Sequence, residues 1–233
     1  MESIIGITGT IGSGKTTSAK YLTTFGYEEY SFAGPIKEIG EVFHFTFEEL
    51  YGTQSEKLAI NKYWGISGRE FMQKFGTELI RNQLSTVIPE IKLDTGESIW
   101  TRLFEIELDK NPNKKYVVSD VRFLDEARSI RNSNGVIVKI ERDENEHNLD
   151  SKVRNHSSER ELQKIKPDYI IPNNRGLKHL KNCLNVISMS VLNTSKPEIC
   201  INCGSIIDFK IECYYREDGV VIFEHNPTCV QMN

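Results

Sequence analysis

A glycine-rich segment near the start of the chain constrains the fold more than any other feature. An apolar run from Ile4 to Thr8 leads into residues 9–17, Gly-Thr-Ile-Gly-Ser-Gly-Lys-Thr-Thr, which fit the spacing G-x-x-x-x-G-K-[ST]. Such glycines let backbone N–H groups point at phosphate oxygens, and the following helix adds its positive N-terminal end. We therefore predict an ATP-binding phosphate loop built from Gly9, Gly12, Ser13, Gly14, Lys15, Thr16 and Thr17.

Two of these residues carry specific chemistry. Lys15 supplies a mobile positive charge for the β- and γ-phosphates, and the hydroxyl group of Thr16 can bind Mg²⁺. The alternative, an ordinary glycine-rich turn, does not require a strand before it and a helix after it. Both are predicted here.

Short apolar strands alternate with amphipathic helices over the first 190 residues. Strands are predicted at 3–8, 28–33, 114–121, 135–140 and 169–171, and helices at 17–25, 35–43, 68–84, 97–109, 123–132 and 176–189. This alternation is typical of an α/β fold, here a P-loop NTPase with a parallel sheet flanked by helices. We assign residues 1–192 to this domain, with a charged segment at about 142–157 as a mobile lid.

Composition narrows the class of protein. The chain has 233 residues and a net charge of −4, which argues against a nucleic-acid backbone as the main partner. No apolar run approaches the length of a membrane span, and the first predicted strand leaves no room for a signal peptide. We therefore expect a cytoplasmic protein without a membrane partner.

The C-terminal residues 198–233 differ from the rest. They contain four of the five cysteines, around a predicted β-hairpin, and we expect a small separate appendage. Cys200 and Cys203 form one pair and His225 and Cys229 form another, and together these four residues have the spacing of zinc ligands. A structural zinc ion would explain how so short a piece folds, whereas the alternative is reduced cysteines packed as small apolar residues. Its purpose stays open between a homodimer contact, partner docking and a brace for the main domain.

Two further regions carry candidate site residues. Asp120 and Arg122 follow a predicted buried strand, where a carboxylate can position Mg²⁺ and an arginine can neutralise a phosphoryl group in transfer. In the helix at 68–84, Arg69, Gln73 and Thr77 lie four residues apart along one stripe, which Arg81 extends. Arginine, amide and hydroxyl groups together suit a phosphate and the edge of a base, although a solvated helix face has the same pattern.

The chain resembles the deoxynucleoside monophosphate kinases of bacteriophages and large DNA viruses, which are adenylate-kinase-like P-loop enzymes. The motifs that carry the resemblance occur in order over residues 1 to about 190. They are residues 9–17, Ser31-Phe32-Ala33-Gly34-Pro35-Ile36-Lys37, Gln73-Lys74-Phe75-Gly76-Thr77-Glu78 with Arg81, Trp100, Ser119-Asp120-Val121-Arg122-Phe123 with Glu126-Ala127, and His156-Ser157-Ser158-Glu159.

The resemblance implies transfer of the γ-phosphoryl group of ATP to a deoxynucleoside monophosphate. It implies a helical insertion for the acceptor, in which Lys37, Arg69 and Arg81 face the acceptor phosphate. Gln73 and Thr77 would lie near the acceptor base, and Trp100 would support that pocket. It also implies that Arg142, with Lys152 or Arg154, closes from the lid over the donor phosphates. In a viral setting the enzyme would act in the host cytoplasm.

Two other functions stay open on the sequence. One is a P-loop kinase for another small phosphorylated acceptor, such as phosphomevalonate or dephospho-coenzyme A. The other is a non-catalytic P-loop protein that uses its appendage to hold a partner. The Gln73 and Thr77 stripe favours an acceptor with a base, and the arginines spread over several elements favour an enzyme.

Overall fold

The computed structural model describes residues 3–142, 161–192, 212–215 and 221–224. The chain forms two compact units. The sheet unit consists of Met1–Tyr30 and Asn111–Asn233, and the helical unit consists of Ser31–Lys110.

The described elements follow the predicted alternation. The strands are β1 (Ser3–Thr8), β2 (Tyr27–Tyr30), β3 (Lys115–Val118), β4 (Val136–Glu141), β5 (Tyr169–Pro172), β6 (Glu212–Tyr215) and β7 (Val221–Glu224). The helices are α1 (Lys15–Thr23), α2 (Gly34–Val42), α3 (Phe47–Tyr51), α4 (Gln54–Leu58), α5 (Gly68–Phe71), a π-helical segment (Met72–Arg81), α6 (Asn82–Val87), α7 (Ile99–Lys110), α8 (Leu124–Asn132) and α9 (Gly176–Val191).

A parallel sheet forms the centre of the sheet unit. Its strand order is β2-β3-β1-β4-β5-β7-β6, and only the β6–β7 pair among the described strands is antiparallel. Helices flank the sheet, so the predicted α/β class is confirmed. Because β1 is central, every one of its residues is buried, as expected for a parallel strand covered on both faces.

Side chains alternate between the two faces of β1. Ile5 and Ile7 belong to the buried core that also contains residues of α1 and α9. Gly6 points to the opposite face, because a β-carbon there would lie 2.7 Å from the Cδ1 atom of Ile130 on α8. Successive side chains of β1 point to opposite faces, and both faces are buried. This explains why an unbroken apolar run is needed at the start of the chain.

The C-terminal hairpin extends the same sheet. Strand β7 pairs in parallel with β5, with Tyr169 opposite Val221, and β6 pairs with β7. The sequence predicts the hairpin itself. It does not predict the pairing with β5, because it assigns residues 198–233 to a separate appendage. The boundary between the two predicted domains stays a prediction.

Aromatic side chains form the core of the helical unit. Phe71 is buried and its ring lies 4.8 Å from that of Phe45 and 5.3 Å from that of Phe43, measured between centroids. Phe75 stacks on Phe71 at 5.2 Å. Large rings bury more surface than aliphatic side chains, which compensates for the small size of this 80-residue unit.

A helix is present over the predicted range 68–84, but its middle is π-helical and not α-helical. Residues Met72–Arg81 are π-helical, with α5 before them and α6 after them. The amide of Asn82 donates to the carbonyl of Thr77, five residues earlier, which is the bond that widens a π turn. Within this region Phe71 is buried while Leu79 is 42% exposed.

Candidate functional site: a nucleotide-phosphate loop

The loop between β1 and α1 has a backbone that requires glycine. Gly9, Gly12 and Gly14 have φ angles of 143°, 81° and 113°, which side-chain-bearing residues rarely adopt. A β-carbon on Gly9 would also collide with the backbone carbonyl of Ile140, and one on Gly14 would lie 2.6 Å from the Nδ2 atom of Asn173. These positions are glycine for both conformational and steric reasons.

Helix α1 begins at this loop with its N-terminus uncapped. Gly14 is the N-cap residue and offers no side-chain hydrogen bond, and the first turn contains no acidic residue. The first N–H groups of a helix lack partners within it and carry partial positive charge. Thr16 and Thr17 in this turn are exposed. The arrangement can therefore hold an anion, and phosphate groups suit it best.

Lys15 extends the positive charge across the loop. Its Nζ atom donates to the carbonyl oxygens of Gly9 at 2.7 Å and Thr10 at 2.6 Å. These bonds hold the ammonium group against the loop backbone, where a bound phosphate would meet it. The side chain is partly buried, so its charge acts at a lower effective dielectric constant than in open water.

Ser13 supplies a further polar group inside the loop. The residue is 1% exposed, and its hydroxyl oxygen has no hydrogen-bond partner within the described part of the chain. Buried polar atoms are normally paired. An unpaired hydroxyl at this point fits a loop that completes its hydrogen bonds with a ligand.

Asp120 and Arg122 lie at the same edge of the sheet as the loop. Both follow β3, which runs parallel to β1 with Gly6 opposite Val118. The amide of Val121 donates to the carbonyl of Ile7 at 3.1 Å. Since the carboxyl ends of adjacent parallel strands meet at one edge, these two side chains and the phosphate loop belong to the same region of the sheet unit.

Glu126 holds the backbone that carries Arg122. Its Oε2 atom accepts from the amides of Arg122 at 2.8 Å and Phe123 at 3.1 Å, and the residue is 2% exposed. The sequence gives Glu126 only as part of a motif and assigns it no role. The usable signal is an acidic residue in the first turn of a helix, where carboxylates bind free amides.

The predicted acceptor residues all lie in the helical unit. Gln73, Thr77 and Arg81 are each partly buried, whereas their neighbours Lys74 and Glu78 are exposed. The four-residue stripe therefore survives the change to π geometry as a partly shielded face. Arg69, in α5, donates through Nη1 to the side-chain oxygen of Gln54 at 2.8 Å.

Lys37 lies on α2 against an aromatic ring. Its Nζ atom is 4.8 Å from the centroid of the Tyr51 ring, a favourable cation–π distance. Partial burial and a hydrogen bond to Glu41 raise the pKa of Tyr51 above its ordinary value. Tyr51 therefore stays protonated and neutral at pH 7 beside the lysine.

Trp100 supports the π-helical segment. It is 6% exposed, and its indole Nε1 donates to the carbonyl of Gly76 at 3.0 Å. A β-carbon on Gly76 would lie 3.2 Å from the Cγ1 atom of Ile36, so glycine permits the close packing of α2 against this segment. The part of Trp100 in supporting an acceptor pocket stays a prediction.

Several predicted residues lie outside the described ranges. They are Lys152, Arg154 and His156 of the lid and the four zinc candidates Cys200, Cys203, His225 and Cys229. Arg142 is described and exposed, immediately after β4.

The described ranges contain neither a metal-holding cluster of side chains nor a membrane-spanning helix. There, no three His, Cys, Asp or Glu side chains come close enough together to hold a metal ion on their own. Mg²⁺ in phosphoryl-transfer sites needs only one or two protein ligands besides phosphates and water. Among the described helices, none combines the length and hydropathy that a bilayer crossing requires.

Comparisons with known proteins point to one family. The profile described as deoxynucleotide monophosphate kinase matches residues 39–184. A protein of Acanthamoeba polyphaga mimivirus named "Putative deoxynucleotide monophosphate kinase" is 37% identical over 182 residues, covering 75% of this chain and 90% of that protein.

Solved structures align less closely. Dephospho-CoA kinase from Campylobacter jejuni aligns with a TM-score of 0.40 and 16% identity, covering 81% of this chain and 96% of that one. TT1252 from Thermus thermophilus aligns with a TM-score of 0.46 and 20% identity, covering 81% and 97%. At these scores the alignments do not bear on the choice of substrate.

Proposed function

We propose that this chain, which belongs to the deoxynucleotide monophosphate kinase family, transfers the γ-phosphoryl group of ATP to deoxynucleoside monophosphates. The products would be ADP and deoxynucleoside diphosphates. In this proposal the sheet unit binds the donor nucleotide and the helical unit binds the acceptor.

The phosphate loop is the single observation that carries the proposal. Three glycines with positive φ, an uncapped helix N-terminus and the Lys15 ammonium group occur together in this one loop. Few ligands other than a polyphosphate need backbone amides, a helix end and a mobile cation together.

Phosphoryl transfer needs little covalent help from a protein. Two anionic groups must be held in line while their mutual repulsion is screened and water is excluded. Lys15 would bind the β- and γ-phosphate oxygens, and Arg122 would bind the charge on the phosphoryl group in transfer. Glu126 holds the Arg122 backbone, so this arginine would reach the phosphates from a fixed base.

The metal requirement fits the same residues. The Thr16 hydroxyl group and the Asp120 carboxylate would hold Mg²⁺, which when bound neutralises charge on the β- and γ-phosphates. No general base is required of the chain, because the acceptor phosphate is already anionic at pH 7.

The acceptor would bind through cations and polar groups of the helical unit. Lys37, Arg69 and Arg81 would hold the acceptor phosphate, for which the planar guanidinium group offers two parallel hydrogen bonds. Gln73 and Thr77 would contact the base edge. Arg142 would close from the lid and limit loss of the phosphoryl group to water.

A coupled ADP-release assay tests the proposal. Purified protein is given Mg²⁺-ATP and each of the four deoxynucleoside monophosphates, with the ribonucleotides, dephospho-coenzyme A and phosphomevalonate as alternative acceptors. We expect turnover with at least one deoxynucleotide. Turnover only with a non-nucleotide acceptor, or ATP binding without any turnover, would refute the proposed function.

A further inference from the structure

The residue that follows β5 is bonded to the phosphate loop. The backbone amide of Asn173 donates to the carbonyl of Glu141 at 2.6 Å, which continues the pairing of β5 with β4. Its side-chain Nδ2 donates to the carbonyl of Ser13 at 2.8 Å, between residues 160 positions apart in the chain. The end of one strand therefore fixes one peptide group of the loop.

That bond determines where the neighbouring amide points. The Ser13 carbonyl and the Gly14 N–H belong to the same planar trans peptide, so they point in opposite directions. With the carbonyl held by Asn173, the Gly14 N–H is directed to the side away from Asn173. The N–H groups of such a loop are its phosphate ligands.

The fit around Gly14 is close. A β-carbon at this position would lie 2.6 Å from the Asn173 Nδ2 atom, so the amide group of Asn173 fills the space beside the glycine. Gly14 has a φ angle of 113°, where glycine has more freedom than any other residue. A contact that fixes this peptide therefore removes freedom that would otherwise be lost when a phosphate binds.

We propose that Asn173 is a positioning residue for the donor phosphates, which it affects through the Ser13–Gly14 peptide without touching them. The inference rests on the proposed function in one respect, that the loop binds ATP. It assigns a role to a residue that neither the sequence motifs nor the family resemblance single out.

The role predicts a selective loss of donor binding. Asn173→Ala removes the hydrogen bond, and we expect the Kd and KM for ATP to rise about three- to tenfold, as for one neutral hydrogen bond. Asn173→Asp replaces the donor with a carboxylate facing a carbonyl oxygen, so the rise should be larger. The KM for the deoxynucleotide should stay within about twofold in both variants, because the acceptor residues lie in the helical unit.

The experiment measures ATP affinity by titration calorimetry, both KM values, and the unfolding temperature without ligand. Asn174→Ala is the matched control, since this neighbouring side chain is exposed, and its ATP affinity should equal that of the unaltered protein. Unchanged ATP affinity in both Asn173 variants would overturn the inference. An equal loss of affinity for ATP and for the acceptor, or a failure of the variants to fold, would also overturn it, because either result indicates a general structural role. If the unaltered protein itself binds no ATP, the proposed function fails along with it.

Discussion

At the scale of single residues, the proposed donor site depends on groups that hydrogen bonds with the backbone hold in place. Lys15 lies against the Gly9 and Thr10 carbonyls, and the backbone amides of Arg122 and Phe123 donate to the buried Glu126 carboxylate. A cation that is already in place loses little conformational freedom when phosphate binds.

Lys15→Ala should abolish transfer without unfolding the protein. The ammonium group donates to two loop carbonyls, and a group that stabilises transition-state charge is worth about a hundredfold to a thousandfold in rate. We expect kcat/KM to fall at least a hundredfold in the coupled assay, with the circular dichroism spectrum unchanged.

Lys20→Ala is the control for this substitution. Lys20 lies in the last turn of the same helix and is exposed, so its loss should leave the rate nearly unchanged. Full activity of the Lys15 variant would remove the phosphate loop from the mechanism.

The sequence predicts a site residue when the role of that residue depends on residues close to it in the chain. The loop glycines and Lys15 follow from spacing alone. Asn173 and Glu126 could not be assigned in that way, because one contact spans 160 positions and the other depends on how the turn after β3 folds. The Asn173 contact is not readable from one sequence, whereas the place of Glu126 in the first turn of α8 is readable although its amide partners are not.

At the scale of elements, the strands follow from composition and the π-helical segment does not. The apolar runs at β1, β3, β4 and β5 begin and end within three residues of the predicted limits. The segment Met72–Arg81 has ordinary helical spacing in its sequence. The π-helical geometry of this segment involves tertiary contacts at Gly76, where the Trp100 indole donates to the Gly76 carbonyl and Ile36 packs closely. Local helix propensity contains no information on these contacts.

Trp100→Phe tests whether the indole hydrogen bond supports this segment. The ring remains, but the buried Gly76 carbonyl loses its donor, which should cost about 1–3 kcal/mol in the free energy of unfolding. We also expect a higher KM for the acceptor, since Gln73 and Thr77 lie on the same segment. Urea denaturation and steady-state kinetics measure the two effects.

Trp64→Phe provides the comparison. The Trp64 indole donates to the Phe43 carbonyl but the residue is 50% exposed, so water can replace the lost donor and the loss should be smaller. Equal losses in the two variants would mean that the Trp100 bond has no special part in holding the segment.

Helix α9 contains a histidine that makes stability depend on pH. Burial, and secondarily the charge of Arg175, lower the pKa of His179 below its ordinary value. The Nε2 atom of His179 lies 3.6 Å from the Sγ atom of Cys183. As the pH falls below about 6.5, the unfolded chain takes up a proton that the folded chain resists, so the free energy of unfolding must fall.

His179→Gln should remove this part of the pH dependence. Urea denaturation of both proteins from pH 8 to pH 5 should give a constant stability difference above about pH 7.5. Below about pH 6.5 the unaltered protein should lose stability faster than the variant. Parallel curves over the whole range would show that His179 titrates alike in the folded and unfolded chains.

At the scale of the whole molecule, the parallel sheet could be predicted and the edge formed by the C-terminal hairpin could not. A hairpin of two short strands is readable from its sequence, but the pairing of β7 with β5 joins segments about 50 residues apart. The zinc proposal concerns the flanking residues Cys200, Cys203, His225 and Cys229, outside the described ranges.

Metal content tests that proposal independently of activity. If these four residues bind zinc rather than pack as reduced side chains, protein purified without chelators should contain one zinc ion per chain by elemental analysis, because four such ligands bind zinc tightly at pH 7. Cys203→Ser should abolish the zinc content, whereas Cys183→Ser, in the core of the sheet unit, should retain it. Zinc-free protein, or equal zinc content in both variants, would contradict the assignment.

The central proposal is that the chain binds ATP and a deoxynucleoside monophosphate at the same time and transfers the γ-phosphoryl group directly between them. Binding of a bisubstrate ligand, adenosine joined to a deoxynucleoside through five phosphates, measures this most directly. One molecule per chain should displace both ATP and the deoxynucleotide, and should bind more tightly than either because its halves are linked.

Arg69→Ala should weaken this ligand about tenfold to a hundredfold, as expected for loss of a charged hydrogen bond, while leaving the affinity for ATP unchanged. Displacement of ATP alone, with the deoxynucleotide still bound, would contradict the proposal that the phosphoryl group passes directly between the two nucleotides.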